Sequence, residues 1–218
     1  MLNILIEYRI AIIRGLGTTL IICSSAWSIG VLGGIIFGYL AQKSKTFSRI
    51  LSASSFLLIS IPVLVLLFWL HYPAQALLSV VINPLITTIV ALSAINIVLT
   101  GELIKKALEN FPFQYVLAAR VCGIEEKNIF LKIKLPIIFR QVLPGIITLQ
   151  VSIMHMSLFG SLISVEEIFR ISQQINSQIY RPVEIYTALA LLFVAVSLPL
   201  NLLAYYLKNK YTRNLSEK

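Results

Sequence analysis

Apolar residues in this chain come in long unbroken blocks separated by short polar stretches, not in alternating runs. An apolar stretch of about 20 residues, coiled as a helix, is long enough to cross the hydrocarbon of a bilayer. Five such blocks can be drawn, at 18–40, 50–70, 85–106, 141–163 and 183–207. The pattern predicts an all-α, polytopic membrane protein with five transmembrane helices, built as one domain over 1–218. The first block is read as a retained span. It is longer than the apolar core of a cleavable signal and lacks a small-residue cleavage pattern. The stretch 1–14 is apolar with Glu7, Arg9 and Arg14, which fits an interfacial helix on the outer surface. Gly30, Gly34 and Gly38 recur every four residues, putting small side chains on one face of the first span. That spacing favours close packing within the subunit over a dimer contact.

Composition agrees. Hydrophobic residues make up 58% of the 218 and charged residues 12%, with a mean hydropathy of +0.88. An ordinary soluble domain carries about 25% charged residues. The net charge of +9 comes from 18 Lys and Arg against nine Glu and no Asp. Fourteen of the 18 lie on one side of the predicted membrane: three after the first span, seven around the third-to-fourth connection, and four in the C-terminal tail. Only Arg9, Arg14, Arg170 and Arg181 remain for the other side. The positive-inside rule then places the N-terminus outside, and the C-terminus and the 107–140 loop in the cytoplasm. The basic excess is thus topological, and nucleic acid is not an expected partner.

Candidate enzyme chemistry is sparse. No Gly-x-x-x-x-Gly-Lys-Ser/Thr loop is present to hold phosphates. His71 and His155 are far apart in sequence, and no metal-ligand cluster stands out. Cys23 and Cys122 fall in an apolar block and a basic loop and are read as free thiols. The 107–140 loop is too long for a simple connector. It reads as two short helices, 114–121 and 125–133, with Gly123 as the turn and Pro136 as the stop of the second. An amphipathic pair with a basic rim suits either docking of a soluble partner or lying on anionic lipid.

The loop's fixed residues resemble a known motif. Ala118-Ala119, three residues, Gly123, nine residues, then Ile133-Lys134-Leu135-Pro136 is similar to the EAA motif of permeases of ATP-binding-cassette (ABC) importers. Leu117 stands where the motif has Glu. Further landmarks resemble the polar amino-acid (histidine/glutamine/arginine-type) permease subfamily. They are Gly15 with Thr19-Leu20, then Glu102, Lys105 and Pro112, the run from Ser161 to Ile168, and Tyr180-Arg181-Pro182-Val183-Glu184-Ile185-Tyr186. The resemblance implies a permease half that carries no cofactor and no catalytic residues of its own. Its partners would be two ABC ATPase subunits that bind ATP, a second permease copy or paralogue, an extracytoplasmic solute-binding protein and the lipid bilayer. It implies a multi-pass protein of the bacterial inner membrane. Leu117, Ala118, Ala119, Gly123, Ile124, Ile133, Leu135 and Pro136 would then form the ATPase-coupling element.

The chain departs from that subfamily in its second and fourth spans. Ile59-Ser60-Ile61-Pro62 replaces an Arg-Gly-Thr-Pro stretch, and His155-Met156-Ser157 replaces a Lys–acidic/amide–Thr stretch. Fewer polar groups are therefore left for substrate, which suggests that a partner subunit supplies much of that site. Asn96, Gln150, His155, Ser157 and Ser161 are the candidates for a substrate path. For each of them a helix–helix hydrogen bond is the more expected role. Glu167 and Glu184 lie near the outer boundary, as structural carboxylates or as contacts for a binding protein. The resulting expectation is an ATP-driven importer permease for polar amino acids. An ATP-independent secondary transporter and a membrane scaffold that docks a soluble partner are the alternatives.

Overall fold

The computed structural model describes residues 2–212, so Met1 and the tail residues Arg213, Glu217 and Lys218 lie outside the described residues. The described residues are helical, with no strand among them. In chain order the helices are α1 (Leu2–Glu7), α2 (Arg9–Lys43), α3 (Lys45–Ser60), α4 (Val63–His71), α5 (Pro73–Leu78), α6 (Pro84–Glu109), α7 (Phe113–Val121), α8 (Glu126–Asn128), α9 (Leu135–Met156), α10 (Ile168–Ile179) and α11 (Pro182–Thr212). A π-helical turn, Ile129–Lys134, joins α8 to α9, and a 3-10 segment, Ser157–Ile163, extends α9. Four continuous helices are long and apolar enough to cross a membrane, and the bent pair Lys45–Ser60 and Val63–Leu78, counted as one span, brings the number to five.

The centre of the fold is the seam between α2 and α6. The buried face of α2 is a ladder of small residues, including Gly15, Thr19, Cys23, Ala26, Gly30, Gly34, Gly38 and Ala41. A Cβ on Gly30 would sit 2.2 Å from Asn96 Nδ2, one on Gly34 2.5 Å from Thr100, and one on Gly38 2.7 Å from the Gly101 carbonyl. The backbones therefore approach to a distance only glycine allows, and the stripe is spent inside the subunit as expected. Ile22, Leu67, Leu92, Ile153 and Ile163 fill the core beside this seam.

Three expectations need correction. The second span is not one straight helix: α3 and α4–α5 meet at 97° across Ile61-Pro62. Pro62 has no N–H to continue the ladder, and its ring pushes Ile61 out of the helical region, to φ −95 and ψ 124. The N-terminal stretch 1–14 is not one helix of its own, since only Leu2–Glu7 forms the separate helix α1. From Arg9 onward it is the start of α2, because nothing breaks helix between Arg9 and Lys43, and Gly15 packs its bare backbone against Ile168 and Ile171 of α10. Nor does Pro136 end a short helix. Glu126 to Ile163 runs on as a single 38-residue helical path. The missing N–H of Pro136 falls at the N-terminal turn of α9, where π-type bonding gives way to α-type, so it breaks no established ladder.

One amphipathic helix, α10, was not anticipated. Glu167 caps it, accepting hydrogen bonds from Phe169 N–H and Arg170 N–H at 2.8 Å each. Ile168, Ile171 and Ile175 are buried beneath it. The Ile168 N–H also donates to Thr19 Oγ1 at 3.2 Å, tying α10 to the first span.

Candidate functional site: the coupling loop and the polar faces of the bundle

The loop between α6 and α9 is built as a lever resting on a hydrophobic pad. Ile104, Ala107, Leu108 and Phe111 of the α6 end meet Ile138 and Val142 of α9, with Val116 and Ile133 packed against them. Ala119 is buried in this arrangement, whereas Ala118 lies on the open side of α7. Small side chains at both positions keep α7 close to its support below and leave a shallow surface above. The turn after α7 is closed by the Ile124 N–H donating to the Ala119 carbonyl at 3.1 Å, and the Gly123 N–H donating to that of Arg120 at 2.9 Å. Gly123 sits at φ +72, a left-handed conformation that side chains resist. Arg120 and Glu126 form an ion pair across this turn.

The lever shows apolar side chains to the outside. Val121 is 89% exposed, and Phe113, Leu117, Ile124 and Leu135 are also exposed. Leu117, where the EAA motif has Glu, thus adds to an apolar contact surface. Ile133 and Pro136 are half-buried against the bundle. The structure therefore divides the predicted coupling residues: Leu117, Ala118, Ile124 and Leu135 face outward, Ala119, Ile133 and Pro136 support, and Gly123 turns.

The candidate path residues separate as well. Asn96 is fully buried, and every hydrogen-bonding site of its amide is used. Nδ2 donates to the Ala26 carbonyl at 2.9 Å and to Gln150 Oε1 at 2.8 Å. Oδ1 accepts from Thr100 Oγ1 at 3.0 Å and from Gln150 Nε2 at 3.2 Å. Trp27 Nε1 donates to the Gln150 carbonyl at 3.1 Å. Ser157 and Ser161 are buried and turn their hydroxyls back to the carbonyls of Met154 and Leu158. Asn96 and Gln150 thus hold α2, α6 and α9 together, while the two serines satisfy their hydroxyls within their own segment. His155 alone of the five is exposed, its ring 5.9 Å from that of Phe193 on α11.

His155 has companions that the linear sequence did not single out. Gln141, Thr148 and Ser152 share its side of α9, because steps of three, four and seven residues return to one helical face. Toward the loop this face opens into a groove between α9 and α11, lined among others by Arg140, Gln141, Thr148, Asn201, Tyr205 and Lys208. Polar side chains on a spanning helix rarely face lipid, so this side is suited to a partner or a water-filled route. The spacing of Thr148, Ser152 and His155 was the available signal.

A second polar cluster is shut inside. Lys105 Nζ donates to Ser52 Oγ at 2.7 Å and lies 3.4 Å from Glu102 Oε1. Ser52 Oγ in turn donates to the same carboxylate oxygen at 2.6 Å. This pins the last turns of α6, just before the lever, to α3. At the opposite end Glu167 is fully buried, and burial pushes its carboxyl up to about 7 despite the two backbone N–H bonds it accepts. Glu166 pairs with Arg14, and Glu184 with Arg181, both at 3.5 Å.

Comparison with known proteins settles the class. Residues 30–213 match the family model described as the binding-protein-dependent transport system inner membrane component. The chain belongs to that family. The permease is 22% identical over 206 residues to the nopaline transport system permease protein NocM of Agrobacterium fabrum, covering 90% of this chain and 86% of NocM. It is 29% identical over 98 residues to the octopine transport system permease protein OccM of Rhizobium meliloti. That match spans 45% of this chain and only 40% of OccM. Among solved structures, an amino acid ABC transporter described with histidines aligns at a TM-score of 0.83 and 22% identity, over 94% of this chain and 96% of the other. The MetNI methionine ABC transporter aligns at 0.70 and 18%, over 92% and 98%. These structural likenesses show the importer-permease fold. Family membership makes this a multi-pass subunit of a binding-protein-dependent importer in the inner membrane. It sets aside both the ATP-independent secondary transporter and the passive scaffold.

Proposed function

We propose that this permease carries polar amino acids or their derivatives. In this reading, two ATPase subunits bind ATP and drive it, a second permease subunit completes the path, and an extracytoplasmic binding protein delivers substrate. The observation that carries the reading is the lever of α7 and the Gly123 turn. It offers exposed apolar residues at one end of the bundle on a rigid base joined directly to α6 and α9. Closure of the ATPases would press on α7, and the pad beneath would pass that motion to both helices. The charge distribution supports a cytoplasmic position for the lever, with the N-terminus outside. The relatives named for octopine and nopaline, and the amino acid transporter of like fold, support an amino-acid-like cargo.

The polar face of α9, with Gln141, Thr148, Ser152 and His155, is the part of this subunit that lines the path. Asn96 and Gln150 act behind it as the frame that keeps α9 in place, with Ser157 and Ser161 buried and bonded within their own segment. Replacing Gly123 with Val tests the lever. A β-branched residue is strained at φ +72, at a cost of about 1–3 kcal/mol. Its Cβ would meet nothing within 4 Å, so the effect stays local. The expected outcome is normal membrane insertion with loss of ATPase co-purification and of substrate-stimulated hydrolysis. Unchanged co-purification and hydrolysis would contradict the proposal.

A further inference from the structure

The groove between α9 and α11 has a volume of about 640 Å³, within the range of small-molecule sites. Its floor is Pro144, Gly145 and Ala204, and its rim carries Arg140, Lys208 and the phenols of Tyr205 and Tyr211. No carboxylate lines it among the described residues. The eight described glutamates are all elsewhere. Glu102 is held by Lys105 and Ser52, Glu126 by Arg120, Glu166 by Arg14 and Glu184 by Arg181, while Glu167 caps α10. Glu7 lies in α1, and Glu109 and Glu125 flank α7. Arg140 is exposed and has no hydrogen-bond or ion-pair partner among the described residues. Thr148 lines the groove, and Ser152 and His155 follow on the same face of α9, His155 about 22 Å from Arg140 by helical rise.

We infer that this groove is a substrate subsite at the lever end of the path. Here Arg140 receives the carboxylate of a zwitterionic or anionic amino acid, and cationic amino acids are disfavoured. The chemistry follows from the lining. An arginine offers paired donors in the geometry of a carboxylate, and tyrosine and amide groups can satisfy the remaining polar atoms. A lysine- or arginine-like side chain would find no acidic partner among the described residues of this wall and would meet the Arg140 guanidinium instead. The inference rests on the permease reading above and narrows its substrate class.

The test uses the permease with its co-purifying ATPase, in phosphatidylcholine nanodiscs, without binding protein or nucleotide. Retention of the ATPase is measured first, and its absence would count against the permease reading itself. Radiolabelled L-glutamate is then bound and competed with L-glutamine or L-arginine. The expected result is competition by arginine at least about tenfold weaker than by unlabelled glutamate, the scale of one charge-assisted contact. Arg140→Gln should weaken glutamate binding by a similar factor, and Arg140→Lys should retain most of it. Equal competition by arginine, no effect of Arg140→Gln, or no saturable binding of glutamate to the intact complex would overturn the inference. So would a lipid occupant, recognised if phosphatidylglycerol nanodiscs abolish glutamate binding and the wild type, but not Arg140→Gln, retains that lipid.

Discussion

Two sets of polar side chains on one helix, α9, meet opposite fates. Gln150 turns inward, where its amide both accepts from and donates to the amide of Asn96, which in turn donates to the Ala26 carbonyl of α2. His155, five residues on, turns outward beside Gln141, Thr148 and Ser152, with Phe193 as its ring neighbour. Both sets would look alike in a hydropathy plot. The difference teaches that polarity within a spanning segment marks a route only where the helix leaves that face unpacked. On the packed face the same chemistry is glue.

The largest effect should come from the other packed polar cluster, where Lys105 of α6 meets Glu102 and Ser52. Lys105→Met leaves the Glu102 carboxylate buried without its cation and should cost about 3–5 kcal/mol. Thermal unfolding of the detergent-solubilised protein would show it, and a variant as stable as wild type would break the contrast. Asn96→Ala comes next. It strands Gln150 and Thr100, with an expected loss of about 1–2 kcal/mol in the same assay. On the outward face, His155→Ala and Thr148→Ala should change stability by less than about 0.5 kcal/mol, yet reduce uptake by reconstituted transporter. Loss of stability with unchanged uptake would assign His155 to the frame.

The smallest effect concerns pH. The Glu167 carboxyl is raised from its ordinary 4.5 to about 7 in the folded protein. Its protonated form therefore stabilises the fold fully below about 4.5, and that contribution fades as pH rises through 7. Glu167→Gln should flatten the decline in melting temperature between pH 5 and 8. Parallel pH profiles for the two proteins would remove this carboxyl from the account.

Much of this organisation was legible in the chain. Block length located four of the five spans, closely for α6 and α11, whereas α2 starts nine residues before its block and α9 six residues before its own. The glycine stripe pointed to the α2 seam, and the spacing around Gly123 located the lever. What was missed depended on neighbours or on subtle backbone chemistry. The bend at Pro62 was hidden because both halves are apolar enough to read as one block. The π turn before Pro136 let a proline stay inside a continuous helical path. The inward or outward fate of Asn96, Gln150 and His155 depended on which helix each one met.

The central claim is that the α7 turn touches an ATPase. In a Cys122→Ser background, Val121→Cys on the lever and Val81→Cys beyond α5 place single exposed thiols on two fully or nearly fully exposed apolar positions. A short bifunctional reagent applied to membranes that carry the assembled transporter should join Val121→Cys to the ATPase and leave Val81→Cys unjoined. Crosslinking of the ATPase through position 81 and not 121 would contradict the account.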